Sequence, residues 1–153
     1  MNFKSAMMIS SVAAMFSCGA WAQSNPPGVV AMTAVEMKWA QVGLALQGMS
    51  QASLVGDPAK PGPYTIRLRF PAGYKLAPHS HPDAREVTIL SGTWYTGYGE
   101  KFDPAALKEL PAGSFYTEPA NLPHFVETRT AVEIQVSGMG PSGRKFSGAD
   151  TSK

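Results

Sequence analysis

The sequence holds one cysteine, Cys18, among its 153 residues. A single thiol cannot close an internal disulfide, and it cannot supply the thiolates of a structural zinc site. Charge is sparse as well: 16% of residues are charged, 13 basic against 11 acidic, with no dense basic stripe. That excludes the electrostatic footprint of a nucleic-acid binder. No apolar run is long enough to span a bilayer. There is no internal repeat, no low-complexity tract and no phosphate-cradling glycine loop. A chain of this length supports one domain and leaves no room for two. Histidine is scarce too: His79, His81 and His124 are the only three.

Residues 1–22 have the pattern of a secretory signal peptide. Lys4 gives the positive start, Ala6 to Phe16 is an apolar stretch with small residues, and Ala20-Trp21-Ala22 is a small-x-small cleavage site before Gln23. The expected mature chain lacks Cys18, as suits a periplasmic or secreted protein, and has no membrane segment. Phe16-Ser17-Cys18 also faintly resembles a lipoprotein cleavage site, which leaves lipidation of Cys18 as the alternative.

The remainder contains 15 glycines and 13 prolines, with 10% aromatics, a composition suited to a turn-rich β protein. Residues 23–55 read as a polar linker followed by an arm with short strands. Gly56 to Pro63 is turn chemistry. Tyr64 to Phe70 alternates, with Tyr64, Ile66, Leu68 and Phe70 on one face and Arg67 and Arg69 on the other. Further short strands are expected at Glu86 to Leu90, Thr93 to Gly97, Ser114 to Glu118, Phe125 to Thr128 and Val132 to Ser137. Asp103-Pro104 followed by AALKEL predicts a helix of about two turns, with Asp103 as N-cap and Pro104 at N1. Gly138 to Lys153 is Gly/Ser-rich and reads as a loose tail. Many short strands with one short helix predict an antiparallel sandwich or barrel.

His79-Ser80-His81 carries the chemistry. On a strand, residues i and i+2 point the same way, so both imidazoles can converge on one ion. Glu86 follows five residues after His81, a separation that on an unbroken strand would place it on the opposite face. A turn at Pro82-Asp83 is expected to reset the parity and bring Glu86 inward. His124 arrives on another strand. Three imidazoles and one carboxylate (His79, His81, Glu86 and His124) suit a divalent Fe, Mn, Ni, Cu or Zn. With every histidine used, no Ser/His/Asp set remains. Free imidazole titrates near pH 6.5, so metal affinity is expected to fall below roughly pH 6.

Gly73, His79, His81, Glu86 and Gly92 resemble the first sequence motif of the cupin superfamily. Gly113, Pro119, Asn121, His124 and Thr128 resemble the second. Three positions depart: Glu86 to Gly92 is one residue short, Asn121 stands for a glycine, and Thr128 stands for an asparagine. Asn121 suits the left-handed conformation such a turn needs. The resemblance covers about residues 56–140, leaving 141–153 as the tail. It implies an all-β jelly-roll barrel with one short helix between the motifs and a metal in the barrel. Parity from Glu86 then selects Thr88 and Leu90 as inward-facing, and parity from His124 selects Val126 and Thr128. Trp94, Tyr95, Tyr98, Phe115 and Gln135 become pocket candidates. The resemblance further implies a small-molecule substrate and a homodimer. The activity it implies is a dioxygenase-type oxidoreductase on a small chelating anion, with Glu86 able to act as catalytic base. A non-redox isomerase or lyase, and a non-catalytic metal- or ligand-binding module, use the same ligand set.

Overall fold

The computed structural model describes residues 26–43 and 46–148. The proposed leader lies outside them. Among the described residues the strands are β1 (Ala40–Gln41), β2 (Ser50–Val55), β3 (Gly62–Phe70), β4 (Lys75–Ser80), β5 (Arg85–Ser91), β6 (Thr93–Tyr98), β7 (Lys108–Pro111), β8 (Phe115–Glu118), β9 (His124–Thr128), β10 (Val132–Gly140) and β11 (Lys145–Phe146). They form two antiparallel sheets, ordered β1-β2-β3-β10-β5-β8 and β11-β4-β9-β6-β7. This is the jelly roll that the sequence resemblance implies.

The alternation of β3 places Tyr64, Ile66, Leu68 and Phe70 in the core, as expected, and Arg67 and Arg69 outside. Val132, Ile134 and Val136 of β10 and Val87 and Ile89 of β5 continue that inner face. Opposite them lie Leu76, Trp94, Leu110 and Val126 of the second sheet. Each such buried side chain contributes on the order of 1.5–3 kcal/mol. The Trp94 ring meets Phe70 edge-on, with centroids 4.8 Å apart.

Two local expectations differ from what forms. The predicted helix after Asp103 is one 3-10 turn, Pro104–Ala106. Asp103 does cap it, accepting from the Ala105 amide at 2.9 Å. The residues that follow leave the helix because Leu110 is drawn into the core and Lys108–Pro111 pairs with β6. Pairing and burial outweigh the helix preference of a short Ala/Leu/Lys/Glu segment. The segment after Gly138 is not a loose tail throughout: β10 runs to Gly140, and β11 pairs with Ser80 and His79.

Candidate metal centre

His79 and His124 face each other across β4 and β9. Their pairing follows a register shift between Leu76 and His79. The bulge holds Ala77 and Pro78, and proline within a sheet sits well at such irregularities. It lets both Leu76 and His79 point inward. His81 lies just past the end of β4, held from two sides. Its carbonyl accepts from the Asn121 amide at 2.7 Å, and its Nδ1 lies 2.5 Å from the Gly143 carbonyl. Asn121 has φ 60°, the left-handed turn conformation expected of it.

The three imidazoles are buried, each at most 2% exposed. Their ligand-capable nitrogens all lie within 4.8 Å of one another. Each Nδ1 is next to a backbone carbonyl: Ala77 at 2.8 Å from His79, Gly143 from His81, and Leu122 at 3.3 Å from His124. A carbonyl only accepts, so these contacts place the proton on Nδ1 and leave Nε2 as a lone-pair donor. His81 Nε2 and His124 Nε2 have no hydrogen-bond partner. Buried polar atoms normally find one, so these two orphans fit a cation. The three histidines could therefore hold a metal ion. Burial, then the neighbouring His124, lowers the His79 pKa to about 3. Burial, then Arg85, lowers that of His81 to about 2. Both rings are thus neutral near pH 7, the form that ligates.

Glu86 does not join them. Exposure alternates without interruption from His81 to Ile89, and Glu86 is exposed. The bend at Pro82-Asp83 leaves the parity unchanged, because Asp83 occupies an inward position and accepts from the Tyr64 hydroxyl at 2.6 Å. The inward position next to Glu86 belongs to Arg85. The same parity moves Thr88 to a half-buried position and leaves Leu90 38% exposed. Val126 and Thr128 are buried as expected.

The carboxylate beside the imidazoles is Glu118, at the end of β8 and 3% exposed. Glu118 Oε1 lies 3.3 Å from His124 Nε2, and Oε2 lies 3.9 Å from His81 Nε2. Arg85, its register partner on β5, donates through Nε at 2.7 Å and through Nη2 to Oε2. Tyr116 donates to Oε1 at 2.7 Å and accepts from the Trp94 indole at 2.9 Å. Burial opposes ionisation of Glu118. The adjacent Arg85 guanidinium outweighs it and holds the carboxyl well below the usual carboxylate range. Burial pushes the Tyr116 hydroxyl up, and the adjacent Glu118 charge adds to this. Tyr64 is pushed up to about 12 by burial and by its bond to Asp83. Gly138 is required here, since a Cβ would sit 2.6 Å from the Tyr64 hydroxyl and 2.7 Å from Asp83 Oδ2.

Sequence reasoning missed Glu118, Arg85 and Tyr116. The alternation of Tyr116 and Glu118 was readable, but the pairing of β8 with β5 was not. A cavity of about 250 Å³ adjoins the centre, and its lining includes His81, Arg85, Arg144, Ile66 and Leu68. The aromatic pocket candidates lie elsewhere. Trp94 is core, Tyr98 and Phe115 are 46% and 57% exposed, and Tyr95 stacks under Arg129 at 4.1 Å. Gln135 accepts from Arg67 at 3.3 Å.

The family model described as the ChrR cupin-like domain matches residues 27–140. No curated protein matches the chain. Among solved structures, a cupin-superfamily sugar phosphate isomerase from Silicibacter pomeroyi is similar, with a TM-score of 0.63 at 16% identity over 78% of this chain and 83% of the other. A candidate acetylacetone dioxygenase from Methylibium petroleiphilum gives 0.60 at 22% identity, over 78% and 83%. The polyketide cyclase RemF from Streptomyces resistomycificus gives 0.60 at 15%, over 76% and 84%. At these identities the likeness is one of fold.

Proposed function

The chain belongs to the ChrR cupin-like family, and on that footing we propose that it is an exported metal-dependent oxidoreductase of dioxygenase type, acting on a small chelating anion. The observation that carries the reading is the convergence of three buried imidazoles, two with unpartnered Nε2 atoms. His79, His81 and His124 would hold a divalent ion, with Glu118 as the carboxylate beside it. Such an ion, when bound, polarises a chelating oxygen ligand and can mediate oxygen chemistry if it is redox-active.

The chain's own groups favour oxygen chemistry over proton abstraction. A general base needs a free lone pair within reach of substrate. Glu118 is engaged by Arg85 and Tyr116. Glu86 is on the outer face, and no carboxylate lines the adjoining cavity. The imidazoles are taken as ligands. What remains for the protein is to bind the anion, exclude water and hold Glu118 ionised.

Oxygen uptake by the iron-, manganese-, nickel- and copper-loaded protein, over a panel of small chelating acids and diketones, tests the reading. Uptake with at least one redox metal, absent with zinc and absent in His81→Ala, is expected. Stoichiometric metal binding without uptake on any substrate would overturn the oxidoreductase reading. Export is supported by the leader pattern of residues 1–22.

A further inference from the structure

The cavity beside the metal centre holds a cation that the reading above does not use. Its lining contains two guanidinium groups, Arg85 and Arg144, and no carboxylate. The charge of Arg85 is matched by Glu118. Arg144, a half-buried side chain, makes no ion pair among the described residues, and its Nε is buried without a hydrogen-bond partner. Burial and then Arg85 lower its pKa from the ordinary value, against a smaller opposing pull from Tyr74 and Glu118. Chain connectivity fixes Arg144 in place, because the Gly143 carbonyl is the acceptor that orients His81 and the next residues form β11 on β4.

The lining also includes the apolar side chains of Met49, Ile66 and Leu68. The cavity is about 250 Å³, just below the usual volume of ligand pockets, so it suits a small ligand.

We propose that Arg144 is the anchor of a carboxylate-binding subsite, taking a small organic monoanion whose carboxylate meets the guanidinium and whose alkyl or aryl part lies against Met49, Ile66 and Leu68. A guanidinium matches a planar carboxylate through parallel N–H donors, which is why carboxylate is preferred to a neutral polar group. Arg85, whose charge Glu118 matches, flanks the subsite in the same lining. His81 lines the same cavity, so a ligand seated there borders both the arginine and the imidazole centre. The proposal rests on reading this cavity as the substrate site, and it specifies the substrate class.

The test is calorimetric titration of the full chain, metal-free and zinc-loaded, with butyrate and benzoate, against their neutral isosteres butyramide and benzamide. Binding of at least one acid, with its amide weaker by about tenfold or more, is expected. Arg144→Gln should lose the acid by a similar factor while zinc still binds in the wild-type ratio, and Arg144→Lys should keep part of it. Equal binding of acid and amide, failure of both acids to bind the wild type, or unchanged acid binding by Arg144→Gln would each overturn the proposal. The wild-type acid and amide comparison stands even if a variant misfolds. If the acid binds through Arg144 and zinc does not bind at all, the metal reading fails and the carboxylate subsite stands.

Discussion

Arg85 and Glu118 face each other across β5 and β8, both at most 8% exposed, joined by two donors to a single carboxylate oxygen. The pair replaces an inward Glu86 with an inward cation and supplies the carboxylate from the neighbouring strand. Removing one partner of a buried ion pair strands the other. Glu118→Gln is therefore expected to destabilise the fold by about 3–5 kcal/mol, read by denaturant unfolding. Replacing both residues with apolar ones should recover most of that loss. Equal stability of Glu118→Gln and wild type would show that the pair does not stabilise the fold.

Glu86→Gln and His81→Ala separate the two readings of the ligand set. Glu86 is exposed and away from the imidazoles, so its substitution should leave metal affinity unchanged and stability within about 0.5 kcal/mol. His81→Ala should lose most of the metal in a chelator competition while retaining the β-rich circular dichroism spectrum. A large loss of affinity in Glu86→Gln would return Glu86 to the site.

The pH response shifts from metal affinity toward fold stability. The sequence predicts proton competition for metal below roughly pH 6. In the fold, burial already holds His79 and His81 near 3 and 2, against 6.5 when unfolded. Between these values the unfolded chain binds more protons than the folded one, so stability is present above pH 6.5 and is lost as pH falls through that window. The slope can reach about 1.4 kcal/mol per pH unit for each histidine. The melting temperature of metal-free protein should fall steadily from pH 7 to pH 4, less steeply in His79→Asn. A flat profile in metal-free wild type would contradict the buried, neutral assignment.

Secreted material should begin at Gln23. Mass spectrometry of protein exported by its own host checks this. An intact Met1 to Ala22 segment would refute cleavage, and a start at modified Cys18 would establish the lipoprotein alternative.

Strands such as β3 were readable because alternation is a local property. Tyr64 to Phe70 carries its own inside and outside in the order of its residues. The His-x-His pair and the turn at Asn121 were equally local, since a two-residue spacing fixes a shared face and an Asn fixes a turn. Cysteine scarcity and the charge balance excluded disulfide and nucleic-acid readings without any structure.

Tertiary structure decided what depended on register. Whether Glu86 or Arg85 turned inward hung on whether the bend at Pro82-Asp83 kept parity. The answer lies in partners distant in sequence: Tyr64 for Asp83, and Glu118 for Arg85. Glu118 entered the site only because β8 pairs with β5 at one register, and Arg144 only because β11 folds back onto β4. The helix after Asp103 failed for the same reason. Its local signals were sound, but β6 offered Leu110 a buried place in a paired strand. Local sequence carries face and turn, whereas the choice among competing partners belongs to the packed whole, where a buried charge must find its counter-charge and a buried apolar side chain its cavity.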